Sequence, residues 1–412
     1  MVHSKRETCR GCNSKHLHRF LELGPQPLAN SFLASEEEFA NEAKFPLDVY
    51  FCESCSLVQL LDVIDPAVLF RNYIYVTGTS DTIARHNKGY ASTVVDFLNL
   101  TKDSLVVEVA SNDGSLLKCY QDQGVKTLGI EPAVNIAEMA RSKGVETINE
   151  FFNLDTAKKI RESHGAADAV VGNNVFAHVD QTRDFLQGGK YLLKSNGLVI
   201  IEIPYLGEFM KRLEYDTVYH EHLCYFSITA LIRLCDEVGM SIVRVDHVPV
   251  HGGSIRMYAG SEEHYPEHSR EVLNSAGNEV KDGLTSLATY MKFAEDVEHQ
   301  RKAIYELLSG LKEQGKTVAG YGAPAKGNTQ LNFCDIDTKL LPYTVDKSPL
   351  KIGLFTPGMH IPVKPVSTLL EDQPDYVLIL AWNFADEIMG QQQEYRRRGG
   401  KFIIPLPEPK IV

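Results

Sequence analysis

The sequence predicts an α/β protein built in three parts: a small N-terminal metal-binding module, a central Rossmann-like domain, and a second Rossmann-like α/β domain at the C-terminus. Three observations predict it. Two CxxC pairs, Cys9/Cys12 and Cys52/Cys55, stand near the start; strand, turn, helix and strand follow one another over 105–131; and the same pattern restarts near residue 314. A chain of 412 residues exceeds what a single core usually supports. The expected boundaries are 1–65 for the metal module, 66–261 for the central domain, 262–313 for a helical connector and 314–412 for the last domain.

The cysteines come first. Each CxxC encloses polar or glycine residues, Arg10-Gly11 and Glu53-Ser54, as in paired knuckles that offer four thiolates to a tetrahedral zinc. Four protein thiolates leave no open coordination position, so this metal is expected to be structural. A redox CxxC is the weaker reading, because two pairs are present and neither opens a thioredoxin-like unit. Between the pairs, LGPQPLANSFL reads as a proline-punctuated loop and PLDVYFC as a short strand. The connector NYIYVTGTSDT alternates aromatic and hydroxyl residues, which suits a loop closing over a ligand, or else a plain surface turn. A helix from about Ile83 to Leu98 follows.

The central domain opens on LVVEVASNDG, where a β-branched run ends at Glu108 and a turn through Ser111, Asn112, Asp113 and Gly114 leads into a helix. A second strand ends at Glu131, where a carboxylate can grip the two hydroxyls of a ribose. The turn lacks the G-x-G-x-x-G that admits a pyrophosphate, and Glu108 and Asp113 would repel phosphate but suit a cation. A ribose-bearing ligand with a positive centre and no phosphate is S-adenosylmethionine (SAM). An ordinary βαβ unit with surface charges is the rival reading. Further strands are expected at 127–131, 168–172 and 198–203, with an antiparallel addition after Met240. Functional groups then belong at the carboxyl ends of the strands.

Several candidates fall there. Tyr219-His220-Glu221-His222 groups four protonatable or hydrogen-bonding side chains beyond the fourth strand, and His178 follows the third. Histidine moves protons near neutral pH, while a Tyr or Glu orients it or holds an oxyanion. HEH is not the HExxH of a zinc protease, and a metal at His220 and His222 lacks an evident third ligand. His251-Gly252-Gly253-Ser254 and Tyr321-Gly322-Ala323-Pro324-Ala325-Lys326-Gly327 are turns with backbone N–H groups for an anion, and two of them facing one cleft would suit a diphosphate. A net charge of −12 argues against nucleic acid or an anionic membrane as the main partner. No stretch reaches the apolar length of a membrane span, and the N-terminus lacks a signal peptide's apolar core, so a cytoplasmic setting is expected.

In this order the four-cysteine module, LGPQPLANSFL, VEVASNDGSLL, GIEPA, GNNVFAHVD, YHEHLCYFS, HGGSIR and GYGAPAKGNTQLN resemble the sugar-nucleotide C-methyltransferases over nearly the whole chain. The resemblance implies SAM-dependent transfer of a methyl to C3 of a thymidine- or guanosine-diphosphate 4-keto-deoxysugar, in branched deoxysugar biosynthesis. It implies that Glu131 holds the SAM ribose, that Glu108, the 111–114 turn, Asn173 and Val175 line the donor pocket, and that Tyr75 and Ser80 close over donor or sugar. His222 is then the base, with Tyr219, Glu221 and His178 around the ketosugar. His220, His251, Gly253, Ser254, Tyr321 and Lys326 are placed with the sugar nucleotide, and the C-terminal domain helps to hold it. An O- or N-methyltransferase acting on a sugar or small metabolite, and a non-catalytic zinc-organised binding protein, are the alternatives. A chain with this many domains can work as a monomer.

Overall fold

Thiol, proline and apolar patterns build an N-terminal module larger than its sequence announces. In the computed structural model, which describes residues 2–71, 81–250 and 252–412, Leu17–Pro27, Lys44–Cys52 and Val58–Leu60 form an antiparallel sheet. The expected proline loop is therefore partly strand. Pro25 and Pro46 face each other in the ladder, so their two missing N–H groups fall on one unbonded pair and neither strands a partner. The fourth strand of this sheet, Cys224–Tyr225, comes from the central domain and pairs with Val58–Leu60. The module is thus stitched directly to the segment that follows His222.

The central sheet has seven strands in the order Met240–Val248, Ser254–Ser261, Leu193–Pro204, Ala167–Asn173, Leu105–Val109, Lys126–Ile130, Thr147–Ile148. Val106 and Val107 are buried on opposite faces, as a continuous apolar run in a parallel sheet requires. Ser254–Ser261 runs against both its neighbours, so the sheet is mixed as expected. Strand order changes direction at Leu105–Val109, between Lys126–Ile130 and Ala167–Asn173. That switch point opens the crevice in which such sheets bind ligands.

The connector is two helices, Arg270–Lys281 and Leu287–Glu313, rather than one. Gly283, left-handed at φ 81°, separates them. Tyr290 of the longer helix packs on Phe20 and Phe51, with ring centroids 5.0 and 4.7 Å away, which carries the hydrophobic core across from the N-terminal sheet. In the last domain Val318–Tyr321 is flanked by Thr344–Asp346 and Tyr376–Ile379, all parallel. Val363–Pro365 and Lys401–Ile404 extend the sheet, and Lys410–Ile411 closes it antiparallel.

Candidate active site at the carboxyl ends of the central sheet

The zinc ligands stand together as the spacing requires. The four sulfur atoms of Cys9, Cys12, Cys52 and Cys55 lie within 4.8 Å of one another, with Cys9–Cys55 and Cys12–Cys52 each at 3.6 Å. A tetrahedron of Zn–S bonds near 2.3 Å places its sulfurs about 3.8 Å apart, so the set fits zinc. Each knuckle closes alike: Asn13 and Ser56, both left-handed, donate their N–H groups to Cys9 and Cys52 carbonyls. Gln59 Nε2 also donates to Cys9 Sγ at 3.0 Å. Among the described residues every cysteine is free of disulfide bonds.

At the first strand end, left-handed turns are made without the glycine fingerprint: Ala110, Asn112 and Gly114 have φ of 53°, 49° and 76°. Glu131 accepts from Asn112 N–H (2.9 Å) and Ala133 N–H (2.8 Å), one bond on each carboxylate oxygen. Both oxygens keep a lone pair for a donor such as a ribose hydroxyl. Gly129 must be glycine, since a Cβ there would lie 2.5 Å from Ser111 Oγ. Glu108 Oε2, Ser111 Oγ and Asn173 Oδ1 are buried without a hydrogen-bond partner, and buried acceptors in that state ask for a ligand. Val175 stands against Gly172 beside them, where a Cβ on the glycine would come within 2.9 Å. The pocket therefore fits a polyhydroxylated, amine-bearing ligand such as SAM.

The electrostatic expectation for this turn needs correcting. Burial, helped by Glu131 and Asp113, pushes the Glu108 carboxyl well above the usual carboxylate range, which weakens its pull on a cation. Asp113, fully buried, is paired with Lys143 at 2.5 Å and bonded by Ser115. The protein supplies its own cation there.

The Tyr219–His222 cluster condenses beyond Leu193–Pro204. His222 Nδ1 lies 2.8 Å from the Thr217 carbonyl, and Nε2 lies 2.8 Å from Tyr219 Oη. A carbonyl only accepts, so Nδ1 carries the proton and Nε2 holds the lone pair, on which the Tyr219 hydroxyl donates. His178 stands edge-on to His222, ring centroids 4.8 Å apart. Burial holds the His178 imidazole down to about 4, so it is neutral at neutral pH. Glu221, buried, accepts from Asn30 Nδ2 at 2.6 Å.

Other expected site residues are placed differently. His220 is buried, with Nε2 on the carbonyls of Phe45 and Pro46 at 3.3 and 3.2 Å; it fastens the loop to the N-terminal sheet. Gly253 N–H is already bonded to Val250 O, and Ser254 Oγ bonds the same carbonyl. That turn faces Glu214 and Glu208, which a Cβ at Gly252 or Gly253 would strike. It is a tight hairpin that stands beside two carboxylates. In the second turn Gly322 N–H and Ala323 N–H are spent on Val345 O and Asp346, and Tyr321 is a buried strand residue. Lys326 sits 4.0 Å over the Trp382 ring. Its ammonium is lowered by desolvation and sustained by Asp216 and Glu214. Tyr75, Ser80 and His251 lie outside the described residues. Thr217, Asn30, Arg10 and Asp180 were not anticipated: the first acts through its backbone, and the others lie far from the cluster in sequence.

Three family models match successive parts of the chain. A zinc binding domain model matches residues 9–70, a methyltransferase domain model residues 83–245, and a C-methyltransferase C-terminal domain model residues 249–407. The C-methyltransferase NovU of Streptomyces niveus is 37% identical over 98% of this chain and 97% of its own. Among solved structures, SAM-bound magnesium protoporphyrin IX methyltransferase of Synechocystis PCC 6803 is 14% identical, covering 43% of this chain and 81% of its own, at a TM-score of 0.33. The CcbJ methyltransferase of Streptomyces caelestis is 13% identical, covering 42% and 88%, also at 0.33. The cofactors are SAM and a zinc ion held by the four cysteines. The chain belongs to the C-methyltransferase family and is a SAM-dependent methyltransferase.

Proposed function

We propose that the protein methylates C3 of a nucleoside-diphosphate 4-keto-deoxysugar through an enolate, with His222 as base, in branched deoxysugar biosynthesis in the cytoplasm. The observation that carries the reading is the His222 tautomer, with a proton fixed on Nδ1 by Thr217 and a lone pair on Nε2 beside the Tyr219 hydroxyl. A carbonyl oxygen and the carbon next to its own carbon lie about 2.4 Å apart, from ordinary C=O and C–C lengths. The Tyr219–His222 spacing of 2.8 Å matches that pair.

His222 Nε2 takes the C3 proton, and the C–H electrons move into C3–C4 while charge gathers on the C4 oxygen. Tyr219 shifts its hydroxyl hydrogen bond from Nε2 to that oxygen, which stabilises the charge as it develops. Neutral His178 borders the base without adding a competing positive charge. Bound SAM supplies the sulfonium methyl that C3 takes, and Glu131, Asn112 and Asn173 would hold it. The imidazolium then returns its proton to solvent. Zinc has no part in these steps.

The test is incubation of thymidine- and guanosine-linked 4-keto-6-deoxy sugar nucleotides with enzyme and SAM, with the methyl located by mass spectrometry and NMR. A C3 branch supports the reading; a methyl on oxygen or nitrogen discards it.

A further inference from the structure

Arg10 occupies an unusual place for a charged side chain. It lies between the two cysteines of the first zinc knuckle, yet its side chain has no exposed surface. Its guanidinium leaves the metal module altogether. Nη1 donates to the carbonyls of Leu60 (2.7 Å) and Leu223 (2.6 Å), while Nε and Nη2 reach Asp180 Oδ1 at 3.4 and 3.3 Å. Leu223 directly follows His222, and Asp180 is two residues past His178. Leu223 N–H also donates to Ala177 O, the residue before His178, and Leu60 N–H shares the Leu223 carbonyl.

The other end of Arg10 is held as firmly. Its N–H donates to Gln59 Oε1 at 3.1 Å, and the same Gln59 amide donates to the Cys9 thiolate. Its carbonyl accepts from Thr182 Oγ1. Arg6 adds a second pair to both Asp180 oxygens at 3.0 Å. A buried charge cluster is a poor way to gain stability, since apolar residues of similar size often do as well. A rigid guanidinium fork, by contrast, fixes directions that a lysine cannot.

We propose that Arg10 is a positioning residue: it carries the geometry of the zinc knuckle to His222 and His178 through Leu223 and Asp180, so the zinc module sets the rate of proton abstraction as well as the fold. The proposal rests on the reading of His222 as base. Neither Arg10 nor the metal touches the reacting atoms. A displacement near 1 Å at a reacting group can cost on the order of 10²-fold in rate, and Arg10 is one of the contacts that fixes the backbone next to His222.

Arg10→Ala is compared with wild type in full-length, zinc-loaded enzyme. The readouts are zinc content, SAM affinity by calorimetry, kcat and KM for the ketosugar nucleotide, and solvent deuterium entering C3 with S-adenosylhomocysteine present. The expected result is full zinc and unchanged SAM affinity, kcat down on the order of 10²-fold with KM little changed, deuterium entry reduced in step, and partial rescue by added guanidinium. Normal kcat overturns the proposal; so does a loss that follows zinc or SAM binding and resists guanidinium. If Arg10→Ala does not fold, Asp180→Asn at the more accessible end of the fork should lower kcat with zinc retained, and a normal kcat there overturns it equally. Wild-type enzyme that methylates C3 without deuterium entry defeats the enolate reading and with it the claim on proton abstraction; wild-type deuterium entry together with a normal rate in Arg10→Ala defeats the role of Arg10 alone.

Discussion

The role proposed for His222 rests on a neighbour with no side-chain signal. The Thr217 carbonyl fixes the proton on Nδ1, which the sequence cannot announce because every residue carries a carbonyl. The cluster itself was legible, since four reactive side chains in a row beyond a strand end are rare enough to stand out. His220 was not separable from His222 by sequence, because only the fold shows which imidazole meets Phe45 and Pro46. His222→Ala should lose on the order of 10²–10⁴-fold in kcat with SAM affinity intact, read by steady-state kinetics and calorimetry. Tyr219→Phe should lose less, because the base survives and only the oxyanion partner goes. His178 gives a pH signature. Its folded value of about 4 lies below the ordinary 6.5, so the unfolded chain takes the proton first. Stability from this residue is complete above pH 6.5 and drains away as pH falls towards 4. The wild-type melting temperature should therefore fall more steeply over that window than that of His178→Asn.

At the scale of elements, the strands of the central sheet were readable from β-branched runs, and the four cysteines from their spacing. The turns were harder. Ala110 and Asn112 adopt left-handed backbone without glycine, and in the later hairpin Gly253 N–H is taken by Val250 O. The two α/β domains share one device the sequence hides. Glu131 caps Asn112 N–H and Ala133 N–H, and Asp346 likewise caps Ala323 N–H and Ser348 N–H. Different acids and different turns reach one arrangement, so sequence matching of the turns could not reveal it. Lys326 belongs to this scale as well. Burial pushes Glu214 up to about 7 and Asp216 up to about 6 even with the lysine beside them. Both folded values lie above the ordinary range, so ionisation costs stability as pH rises through them. Lys326→Met should lower the melting temperature, with a deficit that grows from acidic pH to pH 8. Cys52→Ala should lose bound zinc and melt at lower temperature, read by metal analysis alongside calorimetry; a stable, metal-free variant would contradict a structural role for the ion.

Across the whole molecule, the segment from Glu214 to Tyr225 is gripped from both sides. The N-terminal module holds it through Asn30, Arg10, Phe45, Pro46 and the strand pairing of Cys224–Tyr225. The C-terminal domain holds it through Thr329 on the Val218 carbonyl at 3.0 Å and Trp382 on Asp216 at 2.6 Å. Such grips join residues up to about two hundred positions apart, so no local pattern foretells them, although the residue types were all visible. A reactive loop fixed by two flanking domains meets the demand of carbon methylation, which needs a carbanion, its oxyanion partner and a methyl held in line. The central claim is that His222 makes that carbanion. It is tested most directly by incubating a 4-keto-6-deoxy sugar nucleotide with wild-type and His222→Ala enzyme in deuterated buffer, with S-adenosylhomocysteine in the donor site, and following C3 by NMR. Deuterium should enter C3 with wild type and not with the variant; entry at equal rates with both would contradict the account.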